Sequence, residues 1–269
     1  MTFSLPPHLS YSQYNSYTQC PRNWYLSRVQ KAEERQTWYI PIGSAVHSMV
    51  EDWIDPKIQF AGRDSISAED YFFPLISAQM EIEPDLSKWL AGGPEKAPVV
   101  GDLALQKVKD CFEKALEFLD EIDVWEVEYD ASGRLPGLEV ELKAFVDIIG
   151  EHKKTGPGIW DWKTGKSKPK NPFQLQTYAA LLVPEWADVK LNGHFAMLDP
   201  LSSKARKVDL SGVNPAEIGA KYQKVWDGMK SAQIQAEKGY GCRFCFNQDN
   251  CIPNAGMTAR SLYYDRSHL

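Results

Sequence analysis

The chain has 269 residues, 43% of them hydrophobic and 25% charged, and a formal net charge of −6. That balance suits one large globular domain over residues 1–269 and does not announce a nucleic-acid binder, whose domains are often basic. No apolar run approaches the ~20 residues of a membrane span, no basic-then-apolar leader opens the chain, and five cysteines in a chain of this size point to a reducing, cytoplasmic compartment rather than a disulfide framework.

In chain order, Ser10 or Ser12 is placed to cap a short helix, Cys20-Pro21 ends it, and Pro21 opens a second helix at its first position. Most of the aromatic residues between 10 and 29 read as core, with base stacking the alternative. Residues 41–53 read as a helix with Val46, Met49, Val50 and Trp53 on its apolar face. His47 flanks that stripe. A lone histidine there is ordinarily a packed residue, yet neutral imidazole also suits a manganese-type site and would complete a pair of carboxylates. Residues 55–66 read as a turn region, and 67–90 as helical with breaks near Pro74 and Pro84. A loop over 91–98 leads to a helix over 103–122 carrying Leu105, Val108, Phe112, Ala115 and Leu119, with Cys111 a small core residue. A strand follows over 124–129. Glu126 or Glu128 points toward the groove formed by the next two strands, and the sequence does not choose between them.

Those two strands are the centre of the chain. Residues 138–149 alternate by twos, with Leu138, Val140, Leu142, Ala144, Val146 and Ile148 on one face. A loop over 150–158 leads into Ile159-Trp160-Asp161-Trp162-Lys163-Thr164-Gly165. An acid-x-Lys triplet occurs five times here, so the Asp161 copy is distinguished by its apolar lead-in, its Thr-Gly stop and the matching strand before it. A hairpin symmetric about residue 154 sets Asp147 opposite Asp161, with Cβ atoms about 4.5–5.5 Å apart. Two carboxylates that close repel unless a cation sits between them. Hard oxygen ligands suit magnesium or manganese, and a nearby ammonium holds a water or neutralises developing charge. Asp147, Asp161 and Lys163 therefore read as a site for metal-assisted phosphodiester hydrolysis, a surface hairpin with an ordinary salt bridge being the plain alternative.

From His152 to Phe173 there are six lysines and one acid. Lys166 and Lys168 lie in this run, where a phosphate backbone would have to pass, an ordinary solvated loop being the plain alternative. Asn171-Pro172 starts a helix on which Gln174 and Tyr178, four apart, share one side; amide plus phenol suits a phosphate or a base, or simply a surface pair. A strand over 189–198 follows. Asn214-Pro-Ala-Glu217 has the form of a capping box, opening a helix to about Glu237 with Ile218, Tyr222, Val225 and Met229 buried. Near the end come Cys242, Cys245 and Cys251, spaced C-x2-C-x5-C, with Cys20 the natural fourth ligand. A compact triplet with one distant cysteine favours a 4Fe-4S cluster over zinc, and its binding would staple the chain ends together.

These pieces, in this order, resemble the RecB-type nucleases of the PD-(D/E)XK superfamily, in the iron–sulfur branch that includes CRISPR-associated RecB-like exonucleases. The resemblance is carried by Leu9-Ser-Tyr-Ser-Gln-Tyr14, Cys20-Pro-Arg22, Gly43-x3-His47, Val146-Asp147, Asp161-Trp-Lys163-Thr-Gly165, Gln174-x3-Tyr178 and the three late cysteines. Ala144-Phe145-Val146 stands where that family usually has a glycine. The resemblance implies a restriction-endonuclease-like α/β core, a mixed sheet flanked by helices, with a helical elaboration over 55–122. It implies that His47, Asp147, Asp161 and the Trp162 carbonyl bind the metal and that Lys163 activates water. Gln174 and Tyr178 would contact DNA, and Cys20, Cys242, Cys245 and Cys251 would hold a structural cluster. The implied activity is exonucleolytic, on DNA with free ends, running 5′ to 3′ on single strands, in phage or bacterial recombination, repair or spacer acquisition. Two other readings stay open: a non-catalytic iron–sulfur DNA-binding scaffold, and a structure- or sequence-specific endonuclease.

Overall fold

A computed structural model describes residues 3–55, 66–90, 100–166, 168–202 and 205–251. The turn expected over 55–66 and the loop over 91–98 fall almost wholly outside the described residues. The chain opens with β1 (His8–Leu9) and α1 (Tyr11–Gln19), capped by Ser10, whose hydroxyl accepts the Gln13 N–H at 3.3 Å. Pro21 begins α2 (Pro21–Tyr25), which continues into a π turn over Leu26–Gln30. Then come α3 (Tyr39–Ile54), α4 (Ala68–Ile82) and α5 (Val100–Leu119). Next in sequence are β2 (Ile122–Asp130), β3 (Glu141–Leu142), β4 (Phe145–His152) and β5 (Gly156–Lys163). The order ends with α6 (Phe173–Trp186), β6 (Asn192–Met197), β7 (Arg206–Val208) and α7 (Pro215–Lys230).

Five strands form the main sheet in the order β2-β4-β5-β6-β7. Every pair is antiparallel except β5 and β6, which run parallel with α6 between them in sequence. The sheet is therefore mixed, and helices pack on it from both sides. On one face, α3, α4 and α5 bury Val46, Met49, Phe72, Val108 and Cys111 against Ile148, Trp160 and Trp162. On the other, α6 lays Leu175, Tyr178 and Leu182 against Ile149, Ile159, Phe195 and Met197. A third cluster joins Leu9, Tyr17 and Trp24 to Tyr222 and Met229 of α7. The opposite sides taken by Trp160 and Ile159 follow from the two-residue period of a strand.

The helix expected to run to about Glu237 ends at Lys230, and three further expected elements differ. First, α4 runs through Pro74 without the expected break. Phe72 and Ile76, on either side of it, are 0% and 5% exposed, and each such burial is worth about 1.5–3 kcal/mol, enough to offset the lost hydrogen bond. Second, the strand expected over 138–149 is broken. Glu141 and Leu142 pair in parallel with β1, Lys143 N–H donates to Leu9 O at 2.8 Å, and only from Phe145 does the chain join the main sheet. Third, the loop expected over 150–158 is mostly strand: β4 reaches His152 and β5 starts at Gly156. Gly150 and Gly158 are not turn residues. A Cβ on Gly150 would lie 2.4 Å from the Asp123 carbonyl oxygen, and one on Gly158 2.9 Å from that of Asn192, so both glycines let neighbouring strands approach.

Candidate metal centre

The β4–β5 ladder pairs His152 with Gly156 and Ile148 with Trp160, so it is symmetric about residue 154. One step past Ile148, Asp147 stands opposite Asp161. There the backbone ladder gives way to a side chain: Asp147 Oδ2 accepts the Trp162 N–H at 2.6 Å. On the other side of β4, the pairs Val127–Ile148 and Tyr129–Val146 bracket Glu128, which sets it opposite Asp147. Three neighbouring strands thus carry Glu128, Asp147 and Asp161 in one row.

Glu128 owes its place to an irregularity. The β2–β4 register shifts between Val124 and Glu126, so Trp125 is bulged, and Glu128 itself has φ of 46°. Bulges re-aim side chains in this way, often beside functional sites. Glu126 and Glu128, two apart and so of one parity, were indistinguishable in the sequence because the register that sets Glu128 opposite Asp147 leaves no pattern there.

His47 reaches the row from α3. Its Nδ1 lies 3.7 Å from Asp147 Oδ1 and 3.8 Å from Glu128 Oε1. Gly43, one turn earlier, lies beside the end of β5, where a Cβ would make ordinary contact with Thr164 Oγ1 at 3.6 Å. Among the described residues, the one group of three or more metal-type donors within 4.8 Å of one another is His47, Glu128 and Asp147. Asp161 is not in that close group; its Oδ2 is engaged by the Lys163 ammonium. His194, which is buried where His47 is not, is stacked on Trp160 at 5.0 Å, and burial lowers its pKa to about 4.

The electrostatics are those of an acid cluster awaiting positive charge. Burial first, and then the Asp161 charge, push the Asp147 carboxyl up to about 7. Burial also raises Asp161, against the pull of Lys163. Burial works against the charged form of His47, but Glu128, Asp147 and Asp161 together outweigh it and raise the imidazole to about 9. The donor set, carboxylate oxygens with one imidazole, is that of a magnesium- or manganese-type ion.

Lys163 Nζ also donates to Gln174 Oε1 at 3.2 Å, and Gln174 Nε2 donates to the Tyr178 hydroxyl at 2.8 Å. Gln174 and Tyr178 therefore do share one side of α6, but in different roles. Tyr178 is 6% exposed, so its phenol supports Gln174 from within the core; the DNA contact expected of it does not fit that burial. Lys166 and Lys168 are exposed beyond β5, and Ser202 Oγ–H donates to the Lys166 carbonyl at 2.6 Å. Tyr11, part of the Leu9–Tyr14 motif, comes close enough for Asp161 to add to the burial that raises its phenol.

Four of the five cysteines lie in a second region. Cys111 is apart, buried under α3 and α4. Burial pushes Cys245 up to about 11, with Cys20, Cys242 and Cys251 adding to the shift; Cys251 is raised by burial, then by Cys20. The sulfurs are near enough to repel as thiolates, though among the described residues no three cysteine sulfurs are gathered within 4.8 Å. Glu237 N–H donates to Cys20 Sγ at 3.4 Å, and Cys245 Sγ–H donates to Asn23 Oδ1 at 3.2 Å. The chain ends are pinned here by other bonds as well. Arg35 forks onto Asp249 with two contacts of 2.6 Å, and Asn247 Nδ2 donates to Ser27 Oγ at 2.7 Å and Asn23 Oδ1 at 3.1 Å.

The model of the PD-(D/E)XK nuclease superfamily matches residues 8–251. That span takes in His47, Glu128, Asp147, Asp161, Lys163 and all four grouped cysteines. Two phage proteins are similar along nearly their whole length. The Gene 69 protein of Mycobacterium phage D29 is 25% identical over 271 residues, covering 91% of this chain and 96% of its own. The Gene 69 protein of Mycobacterium phage L5 is 25% identical over 284 residues, covering 87% and 90%. With the family match spanning the sheet, the acid row and its lysine, the chain belongs to the PD-(D/E)XK nuclease superfamily, whose members are metal-dependent nucleases.

Proposed function

We propose that the chain is a DNA exonuclease of the RecB-like, iron–sulfur branch. It works from free ends, 5′ to 3′ on single strands, with magnesium or manganese as its ion. The observation that carries the hydrolytic reading is the row Glu128–Asp147–Asp161 capped by His47 and flanked by Lys163. His47, Asp147 and Glu128 would hold the ion, joined by the second carboxylate oxygen of Asp161 and the Trp162 carbonyl. Such an ion, when bound, supplies a water of lowered pKa and offsets charge on the phosphate. The chain does the rest. Asp147 is oriented by the Trp162 N–H, so its other oxygen faces His47. Lys163, held between Asp161 and Gln174, is placed to hydrogen-bond an attacking water or a non-bridging phosphate oxygen. Burial of Asp147 and Asp161 strengthens the interactions they make, while Glu128, His47 and Lys163 stay partly open to solvent.

The cysteine region is read as the seat of a 4Fe-4S cluster. The donor set is all thiol, two of the thiols are destabilised as free anions by burial and by each other, and the Glu237 N–H already points at a sulfur. Cys20, Cys242, Cys245 and Cys251 would hold the cluster, in a structural role.

The test is purified protein with manganese on end-labelled single-stranded DNA, duplex DNA and a closed circle. Expected are short products released from the 5′ end of the single strand and an intact circle. A cut circle would convert the reading to an endonuclease, and no cleavage of any substrate would leave a binding scaffold.

A further inference from the structure

Lys163 and Gln174 line a cleft of about 1160 Å³ whose walls also include Cys20, Cys242 and Cys245. Lys163, which flanks the metal centre, and the cysteine region therefore share one space, while His47 and Glu128 line a separate cavity that has Ile40 in common with it. Along one wall, α1 presents Tyr11, Asn15 and Gln19. These are four apart, so they form one stripe, about 12 Å long at the rise of a helix. The stripe starts beside Asp161, at Tyr11, and ends next to Cys20. Asn15 and Gln19 are joined by a 3.2 Å side-chain hydrogen bond, which holds their amides in register.

Arg28, Lys31 and Lys238 line the same cleft, and all three are exposed. Among the described residues, none of the three is in an ion pair with a carboxylate, whereas Lys107, Lys109, Lys114, Lys154, Lys163 and Lys230 all are. Glu34, which also borders the cleft, has its carboxylate occupied by Ser27 and Asn247. Glu33 and Glu237 line the cleft too, so its four basic side chains, Arg28, Lys31, Lys163 and Lys238, exceed its three acids by one; basic groups beside a row of amides and a phenol are the pattern of a groove that tracks a phosphate backbone while leaving bases free to stack. The space exceeds an ordinary small-molecule pocket. A duplex, advancing about 34 Å per turn, is too bulky to be enclosed in it.

We infer that this cleft is the path of a single DNA strand between the metal centre and the cysteine region, with Arg28, Lys31 and Lys238 meeting its phosphates and the Tyr11–Asn15–Gln19 stripe lying along its sugars and bases. The inference deepens the nuclease reading and assigns the strand to this cleft rather than to the lysine loop around Lys166 and Lys168. It also makes the cysteine region a wall of the substrate path.

The experiment is fluorescence anisotropy of a fluorescein-labelled oligothymidine, with calcium in place of magnesium, across a salt series. Three proteins are compared: the parent, an Arg28→Ala/Lys31→Ala/Lys238→Ala variant, and a Lys166→Ala/Lys168→Ala variant, each checked for an unchanged Tm. Each lost phosphate contact flattens the log–log salt slope by about 0.7, so the cleft variant should lose about 2 units of slope and on the order of a hundredfold in affinity near 0.1 M salt. A cleft variant that binds with the parent's affinity and slope overturns the inference, as does a parent that binds no oligothymidine. Failure of the nuclease reading looks different: a parent that binds the strand in this cleft-dependent way yet cuts no DNA with manganese.

Discussion

Glu128 holds its carboxylate beside His47 and Asp147 at the expense of a left-handed backbone, with φ of 46°. For a non-glycine residue such a conformation costs on the order of 1–3 kcal/mol. Two substitutions separate the ligand from the strain. Glu128→Ala and Glu128→Gly both remove the carboxylate and should weaken manganese binding about 10- to 100-fold by calorimetry. The glycine variant should nonetheless unfold at higher urea than the alanine variant, by about 1 kcal/mol, because only glycine adopts this φ freely. Equal stability of the two would mean that no strain is stored there. The protons of the row make a second prediction. Asp147, raised to about 7, and His47, raised to about 9, both bind protons more tightly in the metal-free fold than in the unfolded chain. The stability they contribute is present at low pH and is lost as pH rises from about 4 toward 9. A divalent ion displaces those protons, so manganese affinity should climb over that range with proton release, seen as a buffer-dependent heat at pH 6. Heat independent of the buffer would contradict this. Lys163→Ala should lower kcat on the order of 100-fold or more while leaving manganese affinity nearly unchanged.

Between elements, the firmest tie outside the site is Lys107 of α5 to Asp199, just after β6, at 2.9 Å. Asp199 is 2% exposed, so Lys107→Met should cost about 3 kcal/mol in urea unfolding by leaving a buried carboxylate without its cation; a loss under about 1 kcal/mol would show that the backbone N–H of Leu201 suffices alone. This pairing is invisible in the sequence, because 92 positions separate the partners. The hairpin that carries Asp147 and Asp161 was legible, since both strands alternate by twos and the loop length set the mirror point. The capped starts of α1 and α7 were legible from Ser10 and Asn214. The ends of β4 and β5 were not: Gly150 and Gly158 read as turn residues, while their actual constraint is the close approach of Asp123 and Asn192. Nor was the choice of Glu128, which depends on the β2–β4 register, or the burial of Tyr178, which depends on the sheet beneath α6. Local pattern shows which side a residue takes; only the packing of distant strands shows how deep it sits.

At the scale of the molecule, two regions far apart in sequence close one cleft. Lys163 and Gln174, beside the acid row, border it on one side, while α1, α2 and residues 237–246 build the far wall. Asn247, fully buried and bonded to Asn23, Ser27 and Glu34, anchors that wall. Cys20→Ser should bleach the visible absorbance expected of an iron–sulfur protein and lower Tm, while the Arg35–Asp249 fork and Asn247 still hold the ends together. A colourless parent with stoichiometric zinc would contradict the cluster assignment and leave the acid row untouched. That row is the centre of the account, and the most direct measurement on it is anomalous diffraction at the manganese edge from crystals soaked in manganese. The account predicts a peak bounded by His47, Glu128, Asp147 and Asp161, lost in Asp147→Asn. Manganese bound only elsewhere, or no ordered peak between those four side chains, would contradict it.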